Sequence, residues 1–423
     1  MGTYLNPGNN GFSRIVKNNY VDKTGLIGII NKTIDTTDNL TCISRPRRFG
    51  KSYAAQMLCA YYDVTCDSHE LFKDYQIAEE ESYEKNINQY HVINLDITSF
   101  VSEARIEGIA LKDVPSGICA AIRNDVEMQY AELKKGLTLN DTLIDLVQKT
   151  GKKIIFIIDE WDSMIRETVG DSEAQERYLN LLRSWFKNGN FTPAVVAAAY
   201  MTGILPIKKD GSQSAISDFD EYTVLDPGDF ADFVGFTREE VKRICDEKGK
   251  DFEKMKFWYD GYTFGEKHSI YNPYSVMHAA GSGKYKSYWK KTSAAETLMT
   301  YIDMDQDDLQ DTIARLIAGE SIIVDTDSFQ NDVETFTSKD DVLTLLTHLG
   351  YLTYEEEPDS YDDDSVVGLV RIPNEEVRSE FDKILRKSKH KSLIDLVKKS
   401  DRLLKDTLEG KSEEVAKAIA ERI

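Results

Sequence analysis

Apolar and polar residues fall in blocks along this chain, and the blocks change period from one to the next. Leu40-Thr41-Cys42-Ile43-Ser44 is a short, largely apolar run, and Tyr90-His91-Val92-Ile93-Asn94-Leu95-Asp96-Ile97 is a second. Ile154-Ile155-Phe156-Ile157-Ile158 is apolar without interruption and ends in Asp159-Glu160. Residues 194–203, from Ala194 to Gly203, form a fourth run, and Glu221-Tyr222-Thr223-Val224-Leu225 a fifth. The unbroken run 154–158 predicts a strand buried on both faces, as in the middle of a parallel sheet, and the other four runs predict further strands. Helical patterns lie between them, at Tyr53-Ala54-Ala55-Gln56-Met57-Leu58-Cys59 and over residues 137–147. This alternation predicts a doubly wound α/β domain over residues 1–225.

The pattern changes after the Asp226-Pro227-Gly228 turn, a natural exit from such a domain. Residues 226–292 are helical and aromatic, with Phe233, Phe236, Phe257, Trp258 and Tyr259, and predict a helical lid. Within it, the Tyr259-Asp260-Gly261-Tyr262 turn is expected to pack the lid rather than approach a ligand. Residues 293–378 read as helices followed by two strands around an acidic turn at 355–364, a winged-helix-like α+β arrangement. A wing made of acids is repelled by phosphate, so this domain is expected to contact protein or relay motion. Residues 379–423 predict a helical tail rich in Lys and Glu.

The chemistry lies where strands end. Arg45-Pro46-Arg47-Arg48-Phe49-Gly50-Lys51-Ser52 joins the first strand to the helix beginning near Tyr53, and it closes with Gly-Lys-Ser. In a phosphate-binding loop the glycine lets the backbone approach phosphate, the lysine supplies charge, and the hydroxyl reaches Mg²⁺ at a helix N-terminus. Arg45 stands where such loops usually begin with Gly, so it must keep an ordinary backbone conformation or the loop must curve differently. Arg45, Arg47, Arg48, Phe49, Gly50, Lys51, Ser52 and Tyr53 form the expected nucleotide-binding segment.

Downstream, Asp159 would hold Mg²⁺ together with Ser52, and Glu160 would polarise the attacking water. Lys51 would act on the β/γ-phosphates, and Thr202, ending the fourth strand, would sense the γ-phosphate or position the water. Two readings follow. One is a Mg²⁺-dependent ATPase whose slow hydrolysis drives a conformational switch. The other is a nucleotide-bound switch or protein-interaction scaffold with negligible turnover. The second carboxylate favours hydrolysis, while the missing glycine and the lack of an assigned arginine finger favour the switch. Arg177, Arg183 and the loop arginines all stay open as fingers, and a finger from a second copy would make a homo-oligomer the active form.

These residues resemble the AAA-ATPase-like family, common in anaerobic bacteria and usually fused to a C-terminal PD-(D/E)XK-type nuclease. The resemblance rests on Tyr20-Val21-Asp22-Lys23-Thr24, the arginine-rich loop, Ile158-Asp159-Glu160-Trp161-Asp162 and Met201-Thr202-Gly203-Ile204. It continues through Tyr259-Asp260-Gly261-Tyr262-Thr263-Phe264, Tyr271-Asn272-Pro273-Tyr274-Ser275, Leu349-Gly350-Tyr351-Leu352-Thr353 and Arg371-Ile372-Pro373-Asn374-Glu375-Glu376-Val377. It implies ATP as the nucleotide, and it makes the first-Gly departure a family trait. Trp161 stands where the family more often has Tyr, with little consequence expected. After residue 380 there is no late Asp followed by Glu-x-Lys, so this chain is not expected to cut DNA by the family's nuclease route.

Composition narrows the partners. An apolar fraction of 41% with 30% charged residues describes a globular protein, and no run is long enough to span a bilayer. With no signal-like N-terminus, a cytoplasmic location is expected. Five cysteines without paired spacing predict reduced thiols, and scattered histidines give no metal cluster beyond Mg²⁺ with nucleotide. The net charge of −21 opposes tight duplex-DNA binding; the basic stretch 383–405 reads as a solvated helix face.

Overall fold

The computed structural model describes residues 2–134, 136–207, 216–289, 309–327, 329, 338–356 and 367–385, with isolated positions between 407 and 416. Residues 357–364 of the acidic turn and nearly all of the expected tail, with its basic stretch from 386 onward, lie outside the described residues. The chain divides into two compact units, Met1–Phe236 and Thr237–Ile423.

The first unit is built on a parallel sheet of β1 (Leu40–Ser44), β2 (His91–Asp96), β3 (Ile154–Asp159), β4 (Val196–Gly203) and β5 (Asp220–Tyr222). Their order is β2-β3-β4-β1-β5, and every described pairing among them is parallel. β1, β3 and β4 are buried along their whole length, β3 as its unbroken apolar run requires and β1 and β4 with their few polar side chains buried as well. Helices Ile97–Glu107, Val114–Gln129, Leu139–Thr150 and Ser172–Phe186 contribute to a core with Cys42, Leu95, Phe156, Ile158 and Met201. The helix Lys51–Tyr62 packs against β3 and β2.

β4 is the strand between β1 and β3, whereas β2, which separates their motifs in sequence, forms the edge. The register therefore sets Ser44 beside Gly203 and Ile43 beside Thr202, with Asp159 ending the next strand over. Asp96 ends β2 opposite Asp159, but its carboxylate caps the helix Ile97–Glu107 by accepting from Thr98 and Ser99 N–H. It is committed to structure.

The second unit begins with helix Arg238–Lys248, closed by a Thr237/Glu240 capping box, and helix Phe252–Tyr259. A hairpin of β6 (Tyr262–Phe264) and β7 (Lys267–Ile270) leads into helix Pro273–Ser282, capped by Asn272. Then come β8 (Ile322–Asp325), helix Lys339–Leu349, β9 (Thr353–Glu356), β10 (Val367–Arg371) and helix Glu375–Leu385. The strands form an antiparallel sheet in the order β8-β10-β9. Tyr262 donates to Gly350 O at 2.9 Å and Thr263 N–H to Thr353 Oγ1 at 2.8 Å, so the β6–β7 hairpin is tied to β9. Among the described residues no helix is long and apolar enough to cross a membrane.

Candidate nucleotide site

The loop after β1 leaves the sheet with Arg45 N–H donating to Gly203 O at 3.1 Å. Arg45 keeps a negative φ; the left-handed turns come later, at Arg48 (φ 70°) and Gly50 (φ 100°). Nothing lies within 4 Å of a Cβ placed on Gly50, so glycine is favoured there by backbone conformation and not by crowding. Gly50 O then accepts from Tyr53 and Ala54 N–H, which starts the helix Lys51–Tyr62.

The loop closes around Lys51. Its ammonium donates to Arg45 O at 2.9 Å and Pro46 O at 3.1 Å, and the residue is 4% exposed. The Arg45 side chain turns the other way: it is buried and donates to Ser44 O at 3.0 Å and Tyr222 O at 2.8 Å, bracing β1 against β5. Burial pulls this guanidinium down to about 10. Arg45 thus lends the loop a carbonyl and the sheet its charge. Phe49 is buried, Arg47 and Arg48 are half-buried, and Ser52 and Tyr53 are exposed on the first helical turn.

The end of β3 faces this loop. The Thr202 hydroxyl donates to Asp159 Oδ1. Glu160 adopts φ 53°, unusual for a residue with a side chain, and its Oε1 lies 3.5 Å from Lys51 Nζ. Burial raises the Glu160 carboxyl above its ordinary range, against the pull of Lys51. Lys51, Glu160, Asp159 and Thr202 therefore form one contiguous chain of contacts, with Ser52 next to Lys51 on the helix.

Two participants were not legible as such in the sequence. Arg166 donates from Nη2 to Glu160 Oε2 at 2.7 Å and from Nε to Asp162 Oδ2 at 3.0 Å. Asp162, 1% exposed, also accepts from Ile204 and Leu205 N–H at 3.2 and 3.0 Å. The available signal was the four-residue spacing of Asp162 and Arg166 across one helical turn. Of the finger candidates, Arg177 pairs with Asp113 and Glu173, and Arg183 with Asn180, whereas the loop arginines lie beside Lys51 in sequence. Trp161 is fully buried, and a Cβ on Gly203 would come within 2.7 Å of its indole nitrogen, so the aromatic and the glycine are matched.

The donor set suits Mg²⁺ with a nucleotide. Asp159 and Ser52 offer hard oxygens, Lys51 offers charge at a helix N-terminus, and phosphate oxygens would complete the coordination. Among the described residues no group of three or more acids, histidines or cysteines forms a cage for a metal by itself.

No curated protein matches the sequence. Among solved structures, the chain is similar to the Aeropyrum pernix ORC2 protein (ADPNP-ADP complexes) at 13% identity and a TM-score of 0.38, covering 94% of this chain and 98% of that one. It is also similar to the Aeropyrum pernix ORC1 protein in complex with DNA, at 9% identity and a TM-score of 0.30, covering 92% and 98%. Likeness at this level carries no functional argument. The family comparison does: the matched segment contains the loop, Asp159, Glu160 and Thr202, and it supports nucleotide binding. Residues 7–212 match the AAA-ATPase-like family, described as a predicted AAA-ATPase.

Proposed function

We propose that this protein binds ATP with Mg²⁺ at the loop 45–53 and hydrolyses it slowly, using the cycle to switch conformation and signal to a protein effector. The observation that carries the reading is the 3.5 Å approach of Lys51 Nζ to Glu160 Oε1, which joins two motifs far apart in sequence at one point. A lysine on the β/γ-phosphates and a carboxylate for water are the parts phosphoryl transfer to water needs. Lys51 would leave its loop carbonyls for the phosphates, Asp159 and Ser52 would hold Mg²⁺, and Thr202 would orient Asp159 and report on the γ-phosphate. Glu160 would take the proton of the attacking water.

A second reading, a nucleotide-held switch with negligible turnover, is favoured by one feature: both Glu160 oxygens are engaged by cations, Lys51 and Arg166. Single-turnover hydrolysis of radiolabelled ATP by excess protein separates the two. Phosphate release by the wild type, suppressed in Glu160→Gln, supports the hydrolytic reading. Bound ATP that stays intact over hours supports the switch.

A further inference from the structure

We propose that Arg166 is a positioning residue for Glu160, fixing its carboxylate and tying it through Asp162 to the chain that leaves β4. The inference rests on the hydrolytic reading above and names a further residue of the same site. Arg166 lies in the short helix Ser163–Glu167, and its side chain is 16% exposed. It spends two different nitrogens on two different carboxylates, Nη2 on Glu160 and Nε on Asp162. A planar fork held at both ends fixes direction as well as distance, which a flexible ammonium cannot do.

The far end of the fork is itself immobilised. Asp162 Oδ2 receives Ile204 and Leu205 N–H besides Arg166, so Arg166 is anchored to the backbone just beyond Thr202. The near end needs this support. A left-handed backbone costs a non-glycine residue and persists where its surroundings over-determine it. Glu160 is pinned on the main chain by its N–H on Thr202 Oγ1 at 3.4 Å and by Ser163 N–H on its carbonyl at 2.9 Å. Among the described residues its side chain is held by two cations, Lys51 and Arg166, and Lys51 is the one the reading assigns to phosphate. Arg166 then remains as the fixed partner of the carboxylate that must meet water within hydrogen-bond reach.

The test is a double-mutant cycle read in single-turnover hydrolysis, with ATP affinity measured alongside. Arg166→Ala is expected to slow hydrolysis by about 10²-fold, the cost of a misplaced catalytic group, with the ATP dissociation constant within about threefold of wild type. Placed in the Glu160→Gln background, the same substitution should slow hydrolysis by no more than about twofold, because a residue acting through Glu160 has nothing left to position. Arg166→Lys, which keeps charge but loses the fork, serves in the same cycle if the alanine variant folds poorly, with the same non-additivity expected. Equal losses in both backgrounds, or affinity falling in step with rate, would assign Arg166 a general structural role and overturn the proposal. A wild-type rate in Arg166→Ala would do the same while leaving the site's reading intact. A wild type that hydrolyses nothing overturns the parent reading instead.

Discussion

Two acidic-aromatic motifs stand out equally in this sequence, and the two units use them in opposite ways. In the first unit, Asp159-Glu160-Trp161-Asp162 ends a central strand and gathers charge: Lys51, Arg166 and Thr202 all bond to its carboxylates. In the second, Tyr259-Asp260-Gly261-Tyr262-Thr263 is absorbed by packing. Tyr259 donates to Lys286 O, Tyr262 to Gly350 O and Thr263 N–H to Thr353, while Asp260 accepts from Gly261 N–H and Ser269. The difference lies in context. A parallel strand's carboxyl end faces a phosphate-type loop, whereas the turn between helix Phe252–Tyr259 and β6 spends its hydrogen bonds on neighbouring backbone and side chains of the second unit. A motif's chemistry is therefore set by the element that ends there.

The sharpest way to break this contrast is Glu160→Gln. Loss of the basic oxygen should cut hydrolysis by about 10²–10⁴-fold while ATP remains bound, a result read by single-turnover assay and filter binding. Turnover at the wild-type rate would remove Glu160 from the chemistry and make the two motifs alike.

Gly261→Ala probes the structural motif. Gly261 sits at φ 113°, and an added Cβ would collide with Pro373 O. Left-handed strain of about 1 kcal/mol plus overpacking of about 1–3 kcal/mol predicts destabilisation of about 2–4 kcal/mol with ATP affinity unchanged. Chemical denaturation and calorimetry report the two quantities. A weakened ATP affinity in a folded variant would give this motif a ligand role.

Arg45→Ala divides the loop itself into sheet brace and ligand contact. Removing a buried donor from the Tyr222 and Ser44 carbonyls should cost about 1–3 kcal/mol of stability, with ATP affinity altered by no more than about threefold. A large affinity loss at unchanged stability would place the guanidinium on phosphate. The smallest effect is expected for Tyr262→Phe, which deletes the bond to Gly350 O and should cost about 1 kcal/mol in a melting experiment.

Much of this architecture was legible beforehand because apolar runs are one-dimensional signals. β1 occupies the residues its pattern indicates, β3 follows the run 154–158 to its terminal Asp159, and the loop meets the acidic end as the order of motifs implies. What the pattern could not carry was direction. Nothing in one dimension says that Asp96 caps a helix while its register neighbour Asp159 takes a hydroxyl. Nor does it say that Arg45 faces β5 rather than the loop interior, or that Arg166, six residues past Glu160, returns to it. These depend on side-chain aim at strand ends, where a turn of a few residues reverses a side chain's course.

The central claim is that the loop around Lys51 is an ATP site. Calorimetric titration of ATP with Mg²⁺ into the wild type and Lys51→Ala addresses it most directly. Lys51 makes the charge-assisted contact to the β/γ-phosphates in this account, so its loss should weaken binding by about 10–100-fold, equivalent to about 1.4–2.7 kcal/mol. Equal affinities for the two proteins, or no binding to the wild type, would contradict it.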